Sequence, residues 1–289
     1  MKKFLILLLL SFNCYSEPIN IFVTSTPGGG IDLFAREVGK ILTESGYENV
    51  IINQGGAGGD IAYNSTMSKE NNSILVGALQ NFAFSHVINK RENFHIKTMK
   101  IIAPVVEPTF VFLTNKSGFN SFSDMIQYAK NNITPCGVPG GGIPLELEKI
   151  NYEYGTKFEA IVYKGSNQVK MDLLSKVLNC AFDGYTAYSQ DYKLGSIKVL
   201  AASKNNIGTP IIRDTLKRNY TYYAWWGIGI PNGSKLLNDD KFMNIMVNLY
   251  KNDIIKSFVT QHDLTLDKPN PNINTHITEI SDTYKKFIK

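Results

Sequence analysis

Four times along this chain a short apolar run ends in a glycine-rich loop, with a stretch of helical periodicity directly behind it. Ile21-Phe22-Val23 runs into Thr24-Ser25-Thr26-Pro27-Gly28-Gly29-Gly30, and Val50-Ile51-Ile52-Asn53 into Gln54-Gly55-Gly56-Ala57-Gly58-Gly59-Asp60. Cys136-Gly137-Val138 leads to Pro139-Gly140-Gly141-Gly142, and Ile161-Val162-Tyr163 to Lys164-Gly165-Ser166-Asn167. Each junction puts a loop poor in side chains at the carboxyl end of a strand, the edge of an open α/β sheet where ligands bind. Helix N-termini at that edge offer unpaired N–H groups and a positive dipole end to an anion. Taken singly, each loop also reads as a tight turn that uses glycine for positive φ. Triple glycine in both halves exceeds what turns need and predicts a ligand cleft between two lobes.

The rest of the pattern agrees. Ile19–Val23, Asn49–Asn53, residues 74–78, residues 110–114, Phe158–Tyr163, residues 179–183 and Ile197–Ala202 are apolar runs. Continuous runs of this kind suit strands of a parallel sheet buried on both faces. Between them, Ile31, Phe34, Ala35, Val38, Ile41 and Leu42 recur at helical spacing, as do Phe122, Met125, Ile126 and Ala129 behind an N-capping Ser121. Phe242, Ile245, Met246, Leu249 and Tyr250, and then Ile277, Ile280, Tyr284 and Phe287, form two more stripes. The class is α/β, and 289 residues suffice for one large or two medium domains.

What is missing narrows the chemistry. Neither glycine loop of the first half completes G-x-G-x-x-G, and no P-loop or G-x-S-x-G elbow occurs. Lys164 is the one cation in the four loops, whereas phosphate sites recruit Lys and Arg. A carboxylate held by backbone amides and hydroxyls fits better, without cofactor, metal or turnover. His86, His95, His262 and His276 lie far apart and form no metal-ligand pattern. A net charge of +5 without a dense basic cluster argues against nucleic acid.

The N-terminus has its own message. Met1-Lys2-Lys3 precedes Phe4-Leu5-Ile6-Leu7-Leu8-Leu9-Leu10, and small residues Cys14 and Ser16 follow, which describes a secretory signal peptide over residues 1–16. A lipid-modified Cys14 is the lesser alternative. No apolar run approaches the ~18 residues of a membrane span, so a soluble periplasmic protein is expected. Export leaves Cys136 and Cys180 in an oxidising compartment. Both precede loops that should face the cleft from adjacent strands. A disulfide inside the second lobe is therefore expected, two buried thiols being the alternative.

These residues resemble the substrate-binding proteins of tripartite tricarboxylate transporters, the TctC or Bug family. Pro27-Gly28-Gly29-Gly30-Ile31-Asp32 is similar to the family's P-G-G-G-x-D loop, and Gly56-Ala57-Gly58-Gly59-Asp60-Ile61 to its G-A-G-G-N-I loop. Tyr163-Lys164-Gly165-Ser166, then Leu173-Leu174 and Phe182-Asp183, resembles Y-K-G-x…L-L…F-D. Trp226-Gly227-Ile228 with Pro231-Asn232-Gly233 resembles the W-Y-G…P-x-G segment.

The resemblance implies a type II-like periplasmic-binding-protein fold whose two lobes close on a small carboxylate, an organic acid or amino acid, for a membrane permease. Lobe 1 would be residues 17–113 plus 226–289, and lobe 2 residues 114–225, in a monomer. It further implies ligand contacts from Ser25, Thr26, Gly28, Gly29, Gly30, Asp32, Gly56, Ala57, Gly58, Gly59 and Asp60 in lobe 1. Lobe 2 would add Gly140, Gly141, Gly142, Gly165, Ser166, Asn167 and Asp183. The aspartates also read as helix or turn caps. Asp60 stands where the family has asparagine, and its charge beside the bound carboxylate would favour a zwitterion or monocarboxylate over citrate-like ligands. Two other readings use the same loops: a ligand-presenting partner of a membrane sensor, and a periplasmic hydrolase built on Ser166 or Asp183.

Overall fold

The Ile/Val-rich runs form strands in two separate sheets, seen in a computed structural model that describes residues 17–84, 95–204, 207–216 and 222–287. The signal-peptide reading of residues 1–16, and His86, lie outside these described residues. The first sheet contains β1 (Ile19–Val23), β2 (Asn49–Asn53), β3 (Ser73–Ala78), β4 (Met99–Glu107), β10 (Trp226–Pro231) and β11 (Thr265–Leu266), in the order β11-β4-β10-β3-β1-β2. The second contains β5 (Phe110–Asn115), β6 (Thr134–Pro139), β7 (Phe158–Tyr163), β8 (Ala181–Gly184) and β9 (Ile197–Ala202), in the order β7-β6-β8-β5-β9.

Both sheets are mixed. β1 runs parallel to β2 and β3, and β6 parallel to β7 and β8, as expected. β10 is antiparallel to β3 and β4, and β5 to β8 and β9. A continuous apolar run reports burial on both faces and says nothing of strand direction, which is why sequence missed these reversals. They come where the chain changes sheets. β4 ends at Glu107 and β5 begins at Phe110, so residues 110–113, assigned by sequence to the first lobe, pair in the second sheet. The chain re-enters the first sheet at Trp226.

Helices cover both sheets. In the first half they are α1 (Gly30–Glu44), α2 (Asp60–Ser68) and α3 (Leu79–Ala83). The second sheet carries α4 (Phe122–Asn131), α5 (Ile143–Tyr154) and α6 (Ser166–Leu174). The C-terminal α7 (Asp240–Val247), α8 (Asp253–Gln261) and α9 (Ile273–Tyr284) return to the first sheet, where their stripes are buried. Ser121 caps α4 by accepting the Asp124 N–H at 3.1 Å. Phe34 on α1 meets Trp226 at 6.1 Å and Phe258 at 6.4 Å between ring centroids. Phe112 gathers Phe122, Phe158 and Phe182 into the second core. Complete burial of each such side chain contributes roughly 1.5–3 kcal/mol. No helix among the described residues is long and apolar enough to cross a membrane.

Cys136 and Cys180 are joined, with Cα atoms 4.5 Å apart. Cys136 lies on β6 and Cys180 immediately precedes β8, and these strands pair at Gly137 and Ala181. The lobes also meet beside the cleft. Tyr284 of α9 donates its hydroxyl to buried Glu146 of α5, and Gln80 donates to the Tyr222 hydroxyl at 2.9 Å.

Candidate functional site

A cavity of about 490 Å³ lies between the two sheets, where the four glycine-rich loops converge. From the first lobe it is lined by Ser25, Gly29, Gly30 and the run Gly56, Ala57, Gly58 and Gly59. The second lobe contributes Gly140, Gly141, Gly165, Ser166 and Asp183. Apolar wall comes from Phe110, Ile143, Val162 and Trp226.

The loops hold their paths for separable reasons. Gly56, Ala57, Gly58 and Gly59 all have positive φ, at 117°, 48°, 67° and 102°, a path that glycine follows with least strain. Asn81 fixes this loop to the first. Its Oδ1 accepts from the Thr24 hydroxyl and the Ala78 N–H, each at 2.8 Å, while its Nδ2 donates to the Gly58 carbonyl at 2.9 Å. Gly30 is small because Trp226 is close: a Cβ there would stand 2.6 Å from the indole. Gly29 has room, since its nearest neighbour would be 3.5 Å away.

Not every expected residue faces the cavity. Asp32 braces the first loop from behind. It accepts from the Gly28 N–H at 2.8 Å and Arg36 Nε at 2.9 Å on one oxygen, and from Asn53 at 2.8 Å on the other. Burial pushes this carboxyl up, but the bonds from Arg36, Gly28 and Asn53, with the Arg36 charge, outweigh that and hold it below its ordinary value. Asp60 is buried in the first turn of α2, where the helix dipole favours a carboxylate, and lies outside the cavity lining. The zwitterion expectation placed the Asp60 charge beside the bound carboxylate, whereas the cavity lining does not include Asp60. Gly28, Thr26 and Asn167 sit at the rim, and Gly142 is packed against the Phe84 ring with no room for a Cβ.

Three polar side chains stand out on the cavity wall. Ser25 Oγ and Thr186 Oγ1, one from each lobe, are buried without a hydrogen-bond partner. Buried hydroxyls of this kind are rare unless something else satisfies them. Asp183, at the end of β8, accepts from the Tyr188 hydroxyl at 2.7 Å and the Gly184 N–H at 2.6 Å. Burial raises its carboxyl to about 6, against the lowering effect of bonds from Tyr188, Gly184 and Ser166.

Sequence reasoning missed Gln80, Asn81, Phe110 and Thr186 as lining residues. Gln80 and Asn81 follow β3 into α3, a strand-to-helix junction at the same sheet edge but without glycine. Attention to that edge would have found them. No local signal marks Phe110 or Thr186. No group of three or more His, Cys, Asp or Glu among the described residues is placed to hold a metal.

Residues 34–289 match the family described as tripartite tricarboxylate transporter family receptor. A UPF0065 protein of Bordetella pertussis is 26% identical over 232 residues, covering 76% of this chain and 72% of that one. Among solved structures, R. palustris Rpa4515 with adipate aligns with a TM-score of 0.80 at 19% identity, over 93% of this chain and 95% of its own. MatC from Rhodopseudomonas palustris with bound malate aligns with a TM-score of 0.79 at 16% identity, over 94% and 99%. A match that runs from within α1 to the C-terminus takes in every strand except β1, and so the chain belongs to the tripartite tricarboxylate transporter receptor family.

Proposed function

We propose that this protein captures a small carboxylate, an organic acid or amino acid, in the cavity between its lobes and hands it to the permease subunits of a tripartite-type transporter. Export by the N-terminal segment would place it in the periplasm. The observation that carries the reading is the cavity wall itself, made of glycine backbone at strand-to-helix junctions with two unpartnered hydroxyls, Ser25 and Thr186. The helix N-termini of α1 and α2 bias the first lobe toward an anion. Adipate in Rpa4515 and malate in MatC, held by proteins of the same fold, support the ligand class. Ser25, Gly29, Gly30, Gly56, Gly58 and Gly59 would bind the carboxylate in lobe 1. Gly140, Gly165, Ser166 and Asp183 would close on its far end. The reading is of a receptor that binds without turnover.

A thermal-shift screen of the purified protein against organic acids and amino acids tests this. A ligand at 100 times its Kd stabilises the fold by roughly 2.7 kcal/mol, which shows as a clear rise in Tm. Failure of every carboxylate to raise Tm would remove the proposal.

A further inference from the structure

Resting on the carboxylate-binding reading, we propose that Asp183 makes this receptor select an aminocarboxylate, whose protonated amine meets Asp183 while its carboxylate lies on the first-lobe loops. The two ends of the cavity differ in charge. In the first lobe, Asp32 is already bonded to Arg36, Gly28 and Asn53, and neither it nor Asp60 is part of the cavity lining. Gly30 at the start of α1 and Gly59 just before α2 line this end, where the helix dipoles favour an anion. In the second lobe the wall carries Asp183 itself, 3% exposed, together with the unpartnered Thr186 hydroxyl. A Cβ on Gly30 would come within 3.5 Å of Thr186 Cβ, so this acidic end closes directly over the first loop.

Among the described residues, no cation is paired with Asp183. The groups bonded to it, the Tyr188 hydroxyl, the Gly184 N–H and Ser166, are all neutral. Its strand partner Val111 on β5 is apolar. Lys170 on α6 is committed to Asp191 at 3.3 Å. Lys164, the one cation among the described residues lining the cavity, is exposed. On the far flank, Tyr222 feels the negative charge of both Asp183 and Glu146, and the buried Lys149 there is bonded to the Tyr284 hydroxyl at 3.3 Å. A buried carboxylate without a counterion is costly, and a ligand ammonium supplies what the protein leaves out. A second ligand carboxylate at the same place would meet like charge.

Calorimetry with pairs of equal length tests this: β-alanine against succinate, 4-aminobutyrate against glutarate and 5-aminovalerate against adipate, with aspartate and glutamate added. At pH 7.5 the best amine should bind at least tenfold tighter than its dicarboxylate partner. Asp183→Asn, checked for folding by circular dichroism, should erase that preference. The wild type gives a second readout that needs no variant. Since Asp183 titrates near 6, affinity for the amine should fall about tenfold between pH 7.5 and pH 5. Dicarboxylates binding tighter than amines, or an affinity that rises or stays flat as the pH falls, overturns the role of Asp183 and leaves carboxylate capture standing. If neither class binds, both proposals fall.

Discussion

Asn167 at the start of α6 reaches across the mouth of the cavity and donates its side-chain amide to the carbonyl of Pro27, at 2.8 Å. The two residues belong to different lobes and sit 140 positions apart in the chain. Neither lines the cavity, yet their bond holds the glycine loop before α1 against the one before α6. It is a clasp on the rim.

Removing the clasp should act on ligand release. The bond is solvent-exposed, so its net contribution is about 1 kcal/mol. Asn167→Ala is expected to speed ligand dissociation about three- to tenfold and to leave the apo Tm unchanged. Stopped-flow fluorescence with a ligand found by the thermal-shift screen measures this. An unchanged dissociation rate would show that the bond forms without restraining closure.

Gly165 offers a sharper test, because its φ of 177° is extended backbone open to any residue. A Cβ there would nonetheless collide with the Thr26 hydroxyl of the opposite lobe. Gly165→Ala should therefore fold normally and bind ligand at least tenfold more weakly, about 1.4 kcal/mol. Adding Thr26→Ala removes the obstructing hydroxyl and should restore most of the affinity. If the double variant binds no better than Gly165→Ala, the defect is not this contact.

The glycine loops and eight of the strands were legible because both are local. An Ile/Val run states its own burial, and a triple glycine states that backbone must come close to something. β10 was not legible as Trp-Gly-Ile-Gly-Ile-Pro. Its glycines exist for neighbours that sequence cannot name, since a Cβ on Gly227 would stand 2.5 Å from Ala103 Cβ and one on Gly229 2.8 Å from Met99 Sδ. β4 was hidden by Lys100 and Pro104, which break the apolar run. At the site, Phe110 and Thr186 arrive only when the sheets meet. Asp60 and Asp183 looked alike in sequence, each an acid beside a loop. Position decides between them, since Asp60 lies outside the cavity lining and Asp183 is on its wall.

The disulfide is expected to carry much of the second lobe's stability. Cys136 and Cys180 are 44 positions apart, and closing a loop of that length lowers the unfolded state's entropy by an amount worth about 4 kcal/mol in the chain-entropy account. Reduction, or Cys136→Ala with Cys180→Ala, should lower unfolding free energy by about 2–4 kcal/mol in urea titrations. Neither cysteine should react with a thiol reagent in the denatured, unreduced protein. Labelling at both positions would sink the idea.

Asp183 should weaken the empty protein at neutral pH. Its carboxyl rises from 3.8 to about 6 on folding, chiefly through burial. A native group that holds its proton more tightly than the unfolded chain adds stability in acid. That contribution is whole below about 3.8 and disappears as the pH climbs through about 6. At pH 7.5 the ionised side chain thus opposes folding by about 3 kcal/mol, at 1.36 kcal/mol for each pKa unit. Asp183→Asn keeps the shape of the side chain and an acceptor for the Tyr188 hydroxyl or the Gly184 N–H, and it removes the charge. The unliganded variant is expected to be more stable than the wild type by about 1–3 kcal/mol at pH 7.5, with the gap closing toward pH 4. Urea denaturation at the two pH values, without ligand, reads both numbers. A variant less stable than the wild type at pH 7.5 would mean that Tyr188, Ser166 and Gly184 together stabilise the ionised carboxylate more than burial destabilises it. The opposite sign identifies Asp183 as a residue kept at the expense of stability, which is common for groups whose partner is a ligand.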